Sequence, residues 1–453
     1  MKIIVVGCGK VGKSTIESLI KEKHNIVAID HDPKVIEMVT NTYDVMAVCG
    51  LATSMEILTQ ANVAQADLFV AVTQDDEVNM LACFLARSLG AKNTIARIRE
   101  SNYNDEGLRF LAKQLNISIA LNPERLTAES LVNRLQLPPS VDVDTFAGKK
   151  IQLLETVLRE GSKIVGLTLA QIRQKANVPF VACAVKRDGE VYIPTGPFVL
   201  QVGDKVAFMV KRTDSNKFLR AIGLVQKQAR DIIILGASTI AYYLAKLLAD
   251  NSHNVKIIEK NPARCAEISE TLPGSVTIIC ADGSDQDVLL EEGINTTDAL
   301  VSLTGRDEDN ILVSLFALNQ GVPKVIPKVN DMHKYAMVEK MGLPAPVTAQ
   351  KIVADIVTRY ARALNNTLGS SMETMYTLLD GMVEALEFSV LTDCELIGKK
   401  FKELKLKPNF IIAGIIRGKD TIIPTGEDAL HVGDRVIVIA TGKHLMDLED
   451  ILR

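Results

Sequence analysis

The most constraining feature of this 453-residue chain is that its sequence repeats with a period of about 230 residues. A short apolar run, Lys2–Val6, leads into a glycine-rich turn, and the same arrangement returns at Asp231–Leu235. Late in each half, the tetrapeptide Ile-Pro-Thr-Gly occurs at 193–196 and again at 423–426. Solenoids of small repeats have periods of about 20 to 50 residues. The longer period therefore indicates duplication of a whole multi-domain unit.

Each half of the chain changes character part-way along, which predicts two domains per half. Both halves begin with strands that alternate with helices, and both end with short strands separated by turns. A Val-Gly-Asp tripeptide at 202–204 and at 432–434 indicates a turn before the last long strand. We therefore expect sheet domains at 1–137 and 230–350, and small α+β domains at 138–222 and 351–453, the last of which includes a linking helix.

The first domain of each half has the pattern of a doubly wound fold. Its strands are short apolar runs, as expected when helices cover both faces of a parallel sheet. The predicted fold class is α/β, with two doubly wound Rossmann-like parallel-sheet domains, each followed by a small α+β domain.

The segments between these domains are predicted to be helices or polar links. Helices at 124–135 and 349–364 follow the two sheet domains, and the first of them suits a crossover or hinge element. Residues 211–229 are interpreted as a polar, weakly helical connector, and residues 365–371 as a loosely structured link.

The charge balance and the cysteine pattern exclude several classes of function. The formal net charge is only -4, so a broad nucleic-acid-binding field is not expected. None of the seven cysteines forms a CxxC pair, and the six histidines do not cluster with them. A metal site or a disulfide framework is therefore not expected. The cysteines are interpreted as buried, reduced thiols of a cytosolic protein.

No segment has the composition of a membrane span or a signal peptide. The chain opens on a strand that leads into a glycine turn, which is not typical of a signal peptide. The most apolar stretch, 232–249, is interrupted by Gly236, Ser238, Thr239 and Lys246, whereas a spanning helix needs about 20 apolar residues in succession. We expect a soluble chain that reaches a membrane only through a partner.

The glycine turn of the first half carries a dinucleotide-binding motif. Gly7, Gly9 and Gly12 open a helix, and Asp30 ends the next strand 18 residues after Gly12. These glycines allow, in order, a tight turn, close approach of a pyrophosphate, and packing of the helix on the strand. Asp30 suits ribose hydroxyls and disfavours a 2′-phosphate, a preference that His31 weakly softens. NAD or an adenosine nucleotide is predicted; the alternative is a scaffold without a ligand.

The second copy of the turn keeps only the first glycine. It reads Gly-Ala-Ser-Thr-Ile-Ala from 236 to 241, and Glu259 takes the place of Asp30. Ser238 puts a side chain where the backbone should approach a phosphate, whereas Ala241 is small enough for helix packing. The second pocket is therefore expected to bind a nucleotide more weakly, to bind something smaller, or to be vestigial.

Two further segments recur at the ends of the fourth strands. Residues 73–79 match 304–310, and each segment lies where open α/β sheets bind ligands. The alternative role is capping of the helix that follows, and the sequence does not separate the two.

Three cations near the predicted crevices have two possible roles. Arg97 ends the fifth strand, and Lys328 is its counterpart in the second half. Arg97 could meet a phosphate or pair with Asp75 or Glu77. Lys10, inside the glycine turn, is open to the same two interpretations.

No arrangement of residues suited to catalysis recurs in the two halves. The chain has no Walker A motif, and no Ser-His-Asp or Cys-His set occupies equivalent positions. The small domains carry no repeated His, Cys or Lys for the acid–base chemistry of a dehydrogenase. A ligand-responsive regulator is therefore favoured over an NAD-dependent oxidoreductase. A redox-sensing transcription factor would need a helix-turn-helix and a basic face, which the sequence does not show.

The order of these motifs resembles that of a known family. GxGxxG, an acidic end to the second strand, Ala-Val-Thr-x-x-Asp-Glu-x-Asn-Met and Ala-Arg-x-Arg precede the Ile-Pro-Thr-Gly and Val-Gly-Asp pair. Duplicated over the whole chain, this order resembles the peripheral regulatory subunit of Trk-type potassium uptake systems, which is built from tandem potassium-conductance-regulating domains.

The resemblance implies a non-enzymatic, cytoplasmic subunit that is peripheral to the inner face of the cell membrane. Its expected partner is a potassium-translocating integral membrane subunit, which it gates through a ligand-induced conformational change. The resemblance also implies a homo-oligomeric ring, expected to be a tetramer, with NAD(H) and ATP or ADP as ligands. From the charge balance, no nucleic-acid partner is expected.

The glycine turns and the resemblance together give one set of candidate ligand-binding residues in each half. In the first half they are Gly7, Cys8, Gly9, Lys10, Val11, Gly12, Asp30, Thr73, Gln74 and Arg97. In the second half they are Gly236, Ala237, Ser238, Thr239, Ile240, Glu259, Thr304 and Lys328.

Overall fold

The computed structural model describes residues 1–99, 105–136, 141–146, 150–224, 229–250, 253–341, 343–344, 346–366, 372–379, 382–391, 395–441, 445 and 447–452. The chain divides into two compact units. One unit combines Met1–Gln136 with Gln228–Ala361, and the other combines Leu137–Lys227 with Arg362–Arg453. The two sheet domains therefore share the first unit, and the two small domains share the second.

The first sheet domain is a six-stranded parallel sheet with the order β3-β2-β1-β4-β5-β6. The central strand β1 pairs with β2 on one side and with β4 on the other. The sheet therefore changes direction of winding at β1, as the doubly wound fold class predicts. The elements are β1 (Lys2–Val6), α1 (Lys10–Lys21), β2 (Asn25–Asp30), α2 (Pro33–Thr42), β3 (Met46–Cys49), α3 (Met55–Gln60), β4 (Leu68–Ala71), α4 (Asp76–Ser88), β5 (Thr94–Arg97), α5 (Asp105–Gln114), β6 (Ile119–Leu121) and α6 (Pro123–Gln136).

The first small domain is an antiparallel sheet with the order β10-β9-β11-β8-β7. Its elements are β7 (Val141–Phe146), β8 (Ile151–Val157), α7 (Leu169–Ala176), β9 (Phe180–Arg187), β10 (Glu190–Tyr192), β11 (Lys205–Lys211) and α8 (Ser215–Ala221). Strand β7 is not among the elements expected from the sequence. The interpretation of 211–229 as a connector is wrong for α8, because Phe218 and Leu219 are buried in the core of this domain.

The second sheet domain repeats the first with five strands, in the order β14-β13-β12-β15-β16. Buried apolar residues fill its strands, as they do in the first copy. Such continuous apolar runs are typical of parallel strands that helices cover on both faces. Its elements are β12 (Asp231–Leu235), α9 (Thr239–Ala249), β13 (Asn254–Glu259), α10 (Pro262–Thr271), β14 (Val276–Cys280), α11 (Gln286–Glu291), β15 (Ala299–Ser302), α12 (Asp307–Asn319), β16 (Lys324–Pro327), α13 (Met332–Lys340) and α14 (Ala349–Asn366).

The second small domain repeats the sheet of the first, with the order β17-β18-β21-β19-β20. Residues 365 and 366 of the predicted link belong to α14, and residues 367–371 lie outside the described part of the chain. The elements are β17 (Met372–Leu378), β18 (Val383–Ser389), β19 (Phe410–Arg417), β20 (Asp420–Ile422) and β21 (Arg435–Thr441).

The Val-Gly-Asp tripeptides form the predicted turns and also anchor the small sheets. The buried Asp204 carboxylate accepts two hydrogen bonds from the Arg187 guanidinium, each 2.7 Å long. Asp434 and Arg417 repeat the pair at 2.9 and 2.7 Å. The aspartate thereby ties the turn before the last long strand to the end of its neighbour.

Helix α6 leaves its own sheet and packs on the second sheet domain. Its residues Ala128, Leu131 and Leu135 share a core with strand β12 and helix α9. In return, the Tyr360 hydroxyl of α14 donates a hydrogen bond of 3.2 Å to Asn93 in the first sheet domain. Of the two roles suggested for this helix, crossover or hinge, the packing of α6 on the second sheet domain confirms the crossover.

One buried cation at this crossover gives a pH-dependent prediction. The Lys324 ammonium donates to the Leu135 carbonyl near the end of α6, and burial lowers the pKa of Lys324 from 10.5 to about 8. Between these pKa values the unfolded chain binds more protons than the folded chain. The stability of the folded chain therefore rises with pH in that window. The wild type should gain up to about 3 kcal/mol of unfolding free energy relative to Lys324→Met, at about 1.4 kcal/mol per pKa unit.

Urea titrations from about pH 7 to about pH 10 measure this difference. The matched control is Lys246→Met, which removes an exposed lysine from α9. If the difference in unfolding free energy between the wild type and Lys324→Met stayed constant from about pH 7 to about pH 10, the lowered pKa of Lys324 would be contradicted.

Candidate functional site

The first glycine turn joins β1 to α1 where the winding of the sheet reverses. Gly7 has a φ of +85°, and a Cβ there would lie 2.8 Å from the Thr73 backbone nitrogen. A Cβ at Gly12 would lie 1.8 Å from the Gly7 carbonyl oxygen. A Cβ at Gly9 would meet no described atom within 4 Å. Backbone packing therefore requires Gly7 and Gly12, whereas Gly9 keeps the space in front of the turn open.

Helix α1 begins at this open space without a capping side chain. Its N-cap residue is Gly9, and both Gly9 and Lys10 are exposed. The first amides of a helix have no acceptor within the helix and carry a partial positive charge. The turn therefore offers backbone donors to an anion, which is the arrangement of phosphate sites at helix starts.

The Asp30 carboxylate stands beside the turn and is held by two backbone amides. Its Oδ2 accepts a hydrogen bond of 2.7 Å from the Cys8 amide, and its Oδ1 accepts one of 3.0 Å from the Asp32 amide. The side chain is 10% exposed. A carboxylate accepts about four hydrogen bonds. Asp30 therefore keeps acceptor capacity for a ligand hydroxyl while its position is fixed.

The other candidates around the first turn differ in what they present. Cys8 contributes its amide, since its thiol is buried and burial raises the pKa of Cys8 to about 12. Val11 is half-buried. Lys10 and Gln74 are exposed, so their side chains are free to reach a ligand in the crevice.

The segment 73–79 has a structural role that recurs in the second copy. The buried Asn79 accepts hydrogen bonds from the Thr73 amide at 2.9 Å and from the Thr73 hydroxyl at 2.7 Å, and it donates to the Arg97 carbonyl at 2.9 Å. Asn310 and Thr304 form the same clamp. The asparagine joins the ends of two neighbouring strands, and this holds each threonine against its glycine turn.

The helix-capping interpretation of the same segments is only partly confirmed. Asp75 caps α4 by accepting a hydrogen bond of 2.8 Å from the Val78 amide. Arg306, its counterpart, provides no side-chain cap for α12. Buried Asp307 instead accepts from the amides of Asn330 and Asp331, at 3.0 and 2.9 Å.

Two of the three candidate phosphate cations, Arg97 and Lys328, are engaged by protein groups. Arg97 donates to the Thr73 carbonyl at 3.1 Å and lies 3.5 Å from a Glu124 carboxylate oxygen at the start of α6. Its partner is therefore neither Asp75 nor Glu77. Lys328 is buried and donates to the Leu303 carbonyl at 3.3 Å. Burial lowers the pKa of both side chains.

The second crevice repeats the acid but not the bare turn. Glu259 accepts hydrogen bonds of 2.8 Å from the amides of Ala237 and Asn261, as Asp30 does in the first copy. At the start of α9, however, the Ser238 hydroxyl accepts a hydrogen bond of 3.4 Å from the Ala241 amide. The helix start is thus partly capped by its own side chain, which competes with a phosphate. Gly236 keeps the tight turn, with a φ of +87°, and both Thr239 and Ile240 lie in the first turn of α9.

Three basic residues around the second crevice are not among the candidates expected from the sequence. A cavity of about 410 Å³ is lined by the turn, by Lys260 after Glu259, and by Arg306. Arg264, on α10, donates to the Ala237 carbonyl at 2.9 Å. Comparison of the two halves could have found them, because the first half has His31, Val35 and Asp75 at these positions.

The second unit contains a cavity of about 570 Å³ between its small domains. Both Ile-Pro-Thr-Gly segments line it, through 194–196 and 424–426. Most of the lining is apolar, and Arg173 and Gln174 add polar groups. The repeated tetrapeptide thus forms two sides of one cavity, which the sequence did not indicate.

Three general expectations can be compared with the structure. The prediction that the cysteines are buried is wrong for Cys49 and Cys280, which are exposed, and Cys394 lies outside the described residues. Among the described residues, no group of three or more His, Cys, Asp or Glu side chains could hold a metal ion. No helix in that part of the chain is both long enough and apolar enough to cross a membrane.

The fold and the crevices define a class of tandem protein with two Rossmann-like domains and two small antiparallel domains. The TrkA-N domain family matches residues 3–123 and 232–353, which is more than half of the chain. The TrkA-C domain family matches residues 153–223 and 385–453. The chain therefore belongs to the TrkA family.

Relatives extend the match to the whole chain. A protein of Archaeoglobus fulgidus named Trk system potassium uptake protein TrkA homolog is 33% identical over 455 residues, covering 100% of both chains. The Trk system potassium uptake protein TrkA of Haemophilus influenzae is 27% identical over 100% of this chain and 99% of its own.

Solved structures share the fold at low sequence identity. A structure described as the GsuK channel bound to NAD matches with a TM-score of 0.63 and 17% identity, covering 97% of this chain and 76% of that chain. The GsuK RCK domain matches with the same TM-score and identity, covering 97% of this chain and 92% of that chain.

The glycine packing predicts a difference in stability between two substitutions in the same turn. Gly12→Ala should destabilise the fold by about 1–3 kcal/mol, because its Cβ would overlap the Gly7 carbonyl and force a backbone shift. Gly9→Ser should change stability by only a few tenths of a kcal/mol, because serine is a favourable N-cap residue in open space. Urea unfolding of both variants measures the difference. Equal unfolding midpoints would contradict the tight contact at Gly12.

Proposed function

We propose that this chain is a nucleotide-responsive regulatory subunit of a potassium-translocating membrane protein. The observation that carries the proposal is the first crevice, where the uncapped start of α1 and bare Gly9 lie beside a fixed Asp30 carboxylate. Backbone donors suit phosphates, and a fixed acceptor beside them suits a ribose hydroxyl.

The ligand class we propose is NAD(H) together with ATP or ADP. The Asp30 charge would repel a 2′-phosphate, which favours these nucleotides over NADP. Two structures of a protein with a related fold are described as bound to NAD and as bound to ADP, with TM-scores of 0.63 and 0.51. They support the proposal by analogy of fold, at 17% and 13% identity.

The two crevices are proposed to differ in strength. In the first crevice, α1 begins with an open glycine, whereas Ser238 partly caps α9 in the second. Lys260 and Arg306 add positive charge to the second crevice, so an anionic ligand is still expected there. We therefore propose a strong first site and a weaker second one.

The response is proposed to travel through Arg97 and Glu124. Arg97 contacts the Thr73 carbonyl on the crevice side and Glu124 at the start of α6. Helix α6 packs in the core of the second sheet domain. A ligand phosphate that draws Arg97 away from Glu124 would shift the start of α6, and α6 contacts both sheet domains.

A ligand shifts a conformational equilibrium only by its preference for one state. Each tenfold preference supplies about 1.4 kcal/mol of bias per site. Several copies in a ring would add their biases. A homo-oligomeric ring, with four subunits as the expected number, therefore forms part of the proposal.

The proposed partner is a potassium-translocating integral membrane subunit, met from the cytoplasmic side. Full-length relatives that carry the name Trk system potassium uptake protein TrkA support this choice. We propose gating of that subunit rather than catalysis.

The substitution Gly9→Asp tests the ligand site. The new carboxylate would occupy the open space, cap the amides of α1 and repel phosphate, while the fold is retained because a Cβ meets no described atom within 4 Å. Nucleotide affinity at the first site should fall at least about tenfold, which corresponds to about 1.4 kcal/mol. Calorimetric titration of the full chain with NADH, NAD, ATP and ADP measures it.

The matched control is Ser238→Asp, which makes the same change at the second crevice. It should leave the strong first site unchanged. Unchanged affinity at the strong site of Gly9→Asp would refute the assignment of the ligand to the first turn.

A second variant, Glu124→Gln, separates binding from response. It removes the charge that pairs with Arg97, so the nucleotide should still bind with at least the wild-type affinity, while control of potassium flux should be lost. Flux into vesicles that contain the membrane subunit measures the response. The matched control is Glu129→Gln, which removes a carboxylate that lies 3.5 Å from Arg125 on the same helix. A full nucleotide response in Glu124→Gln would contradict the proposed route.

A further inference from the structure

Two thiols gather around one residue in the wall of the second crevice. The Cys265 thiol, in the first turn of α10, donates to the Glu259 carbonyl at 3.3 Å. Cys280 ends β14 and is the register partner of Glu259 on the neighbouring strand. Adjacent strands lie about 4.8 Å apart. The Cys280 thiol is among the neighbouring groups that raise the pKa of Cys265, so the two thiols are close to each other.

The two thiols differ in exposure, which gives them different chemical roles. Cys280 is exposed, whereas Cys265 is only 7% exposed. Burial raises the pKa of Cys265 to about 11, so this thiol is not the first to react. An accessible thiol beside a second, sheltered thiol is the arrangement in which one cysteine is attacked from solvent and the other resolves the product.

The first copy of the domain lacks the pair, so the fold does not require it. Cys49 has the same register position, opposite Asp30, and is also exposed. The α2 residue that corresponds to Cys265 is Ile36, because Pro33 and Pro262 begin the two helices. The first copy therefore provides one exposed thiol without a partner cysteine on its helix, which is a natural control within the same chain.

We propose that Cys265 and Cys280 form a reversible intramolecular disulfide, which makes the pair a redox-modification site. The oxidant class is a low-molecular-weight disulfide. The Cys280 thiolate attacks one of its sulfurs, forms a mixed disulfide and releases one small thiolate. The Cys265 sulfur then attacks the Cys280 sulfur and releases the second small thiol, which carries away the Cys265 proton. Two protein thiols are oxidised, and one small disulfide is reduced to two thiols.

The disulfide would tie together two sides of the second crevice. Cys280 is followed by the segment 282–284, which lines the cavity. Cys265 is adjacent to Arg264, which donates to the Ala237 carbonyl of the glycine turn. Oxidation therefore restrains the cavity lining from α10 to the end of β14. This consequence does not depend on which ligand the crevice binds.

The test uses the full reduced chain with glutathione disulfide as the oxidant. After alkylation without reduction, the tryptic peptide 265–306, which contains both sulfurs, should appear with two hydrogens fewer and no adduct. Dithiothreitol should restore it. Amide hydrogen exchange across 281–285 should slow at least about twofold on oxidation, because closing the link restrains this loop.

Three variants make the test decisive. Cys265→Ser should leave a stable glutathione adduct on Cys280. Cys280→Ser should leave the peptide without a glutathione adduct and without a disulfide. Cys49 should give only an adduct in the wild type, whereas Ile36→Cys should build an internal disulfide in the first copy. A wild-type peptide that carries an adduct or remains reduced would overturn the proposal, as would unchanged exchange across 281–285 in the oxidised chain.

Discussion

The hydrogen bond from the Cys8 amide to the Asp30 carboxylate is the contact on which the first crevice depends. At 2.7 Å, it fastens the glycine turn to the end of β2 and sets the acid beside the open start of α1. The bond forms in a tight turn that lies close to its helix. Gly7 and Gly12 allow this packing, because neither position has room for a Cβ. The second copy repeats the bond between Ala237 and Glu259, although its turn has lost two glycines. Both copies therefore keep the hydrogen bond that anchors the acid, whereas only the first copy keeps the open helix start.

Duplication gives this architecture a way to join its two crevices. Helix α6 begins beside the first crevice, where Glu124 faces Arg97, and ends in the core of the second sheet domain. The buried Lys324 holds its far end through the Leu135 carbonyl. In the proposed route, a change at the first crevice acts on a helix that packs in the core of the second sheet domain.

Local patterns predicted much of the fold and the acid of each crevice. Glycine turns, short apolar strands and the carboxylates at their ends are signals within a few residues, so both sheets and both acids were found. Elements defined by distant contacts were not. Strand β7 follows two prolines and was missed, and α8 was taken for a connector because only tertiary packing shows that Phe218 is buried. The Arg97 partner was also missed, because Glu124 approaches from the next helix rather than from 75–77.

The proposed mode of binding requires a phosphate to lie against the amides at the start of α1. Hydrogen–deuterium exchange of the full chain, with and without saturating ADP, tests this contact most directly. Bound ADP should slow exchange across 8–13, at the amides of the open turn and of the first turn of α1. If bound ADP left exchange in this segment unchanged and slowed it only in the small domains, the nucleotide would bind elsewhere, and the start of α1 would not be the phosphate site.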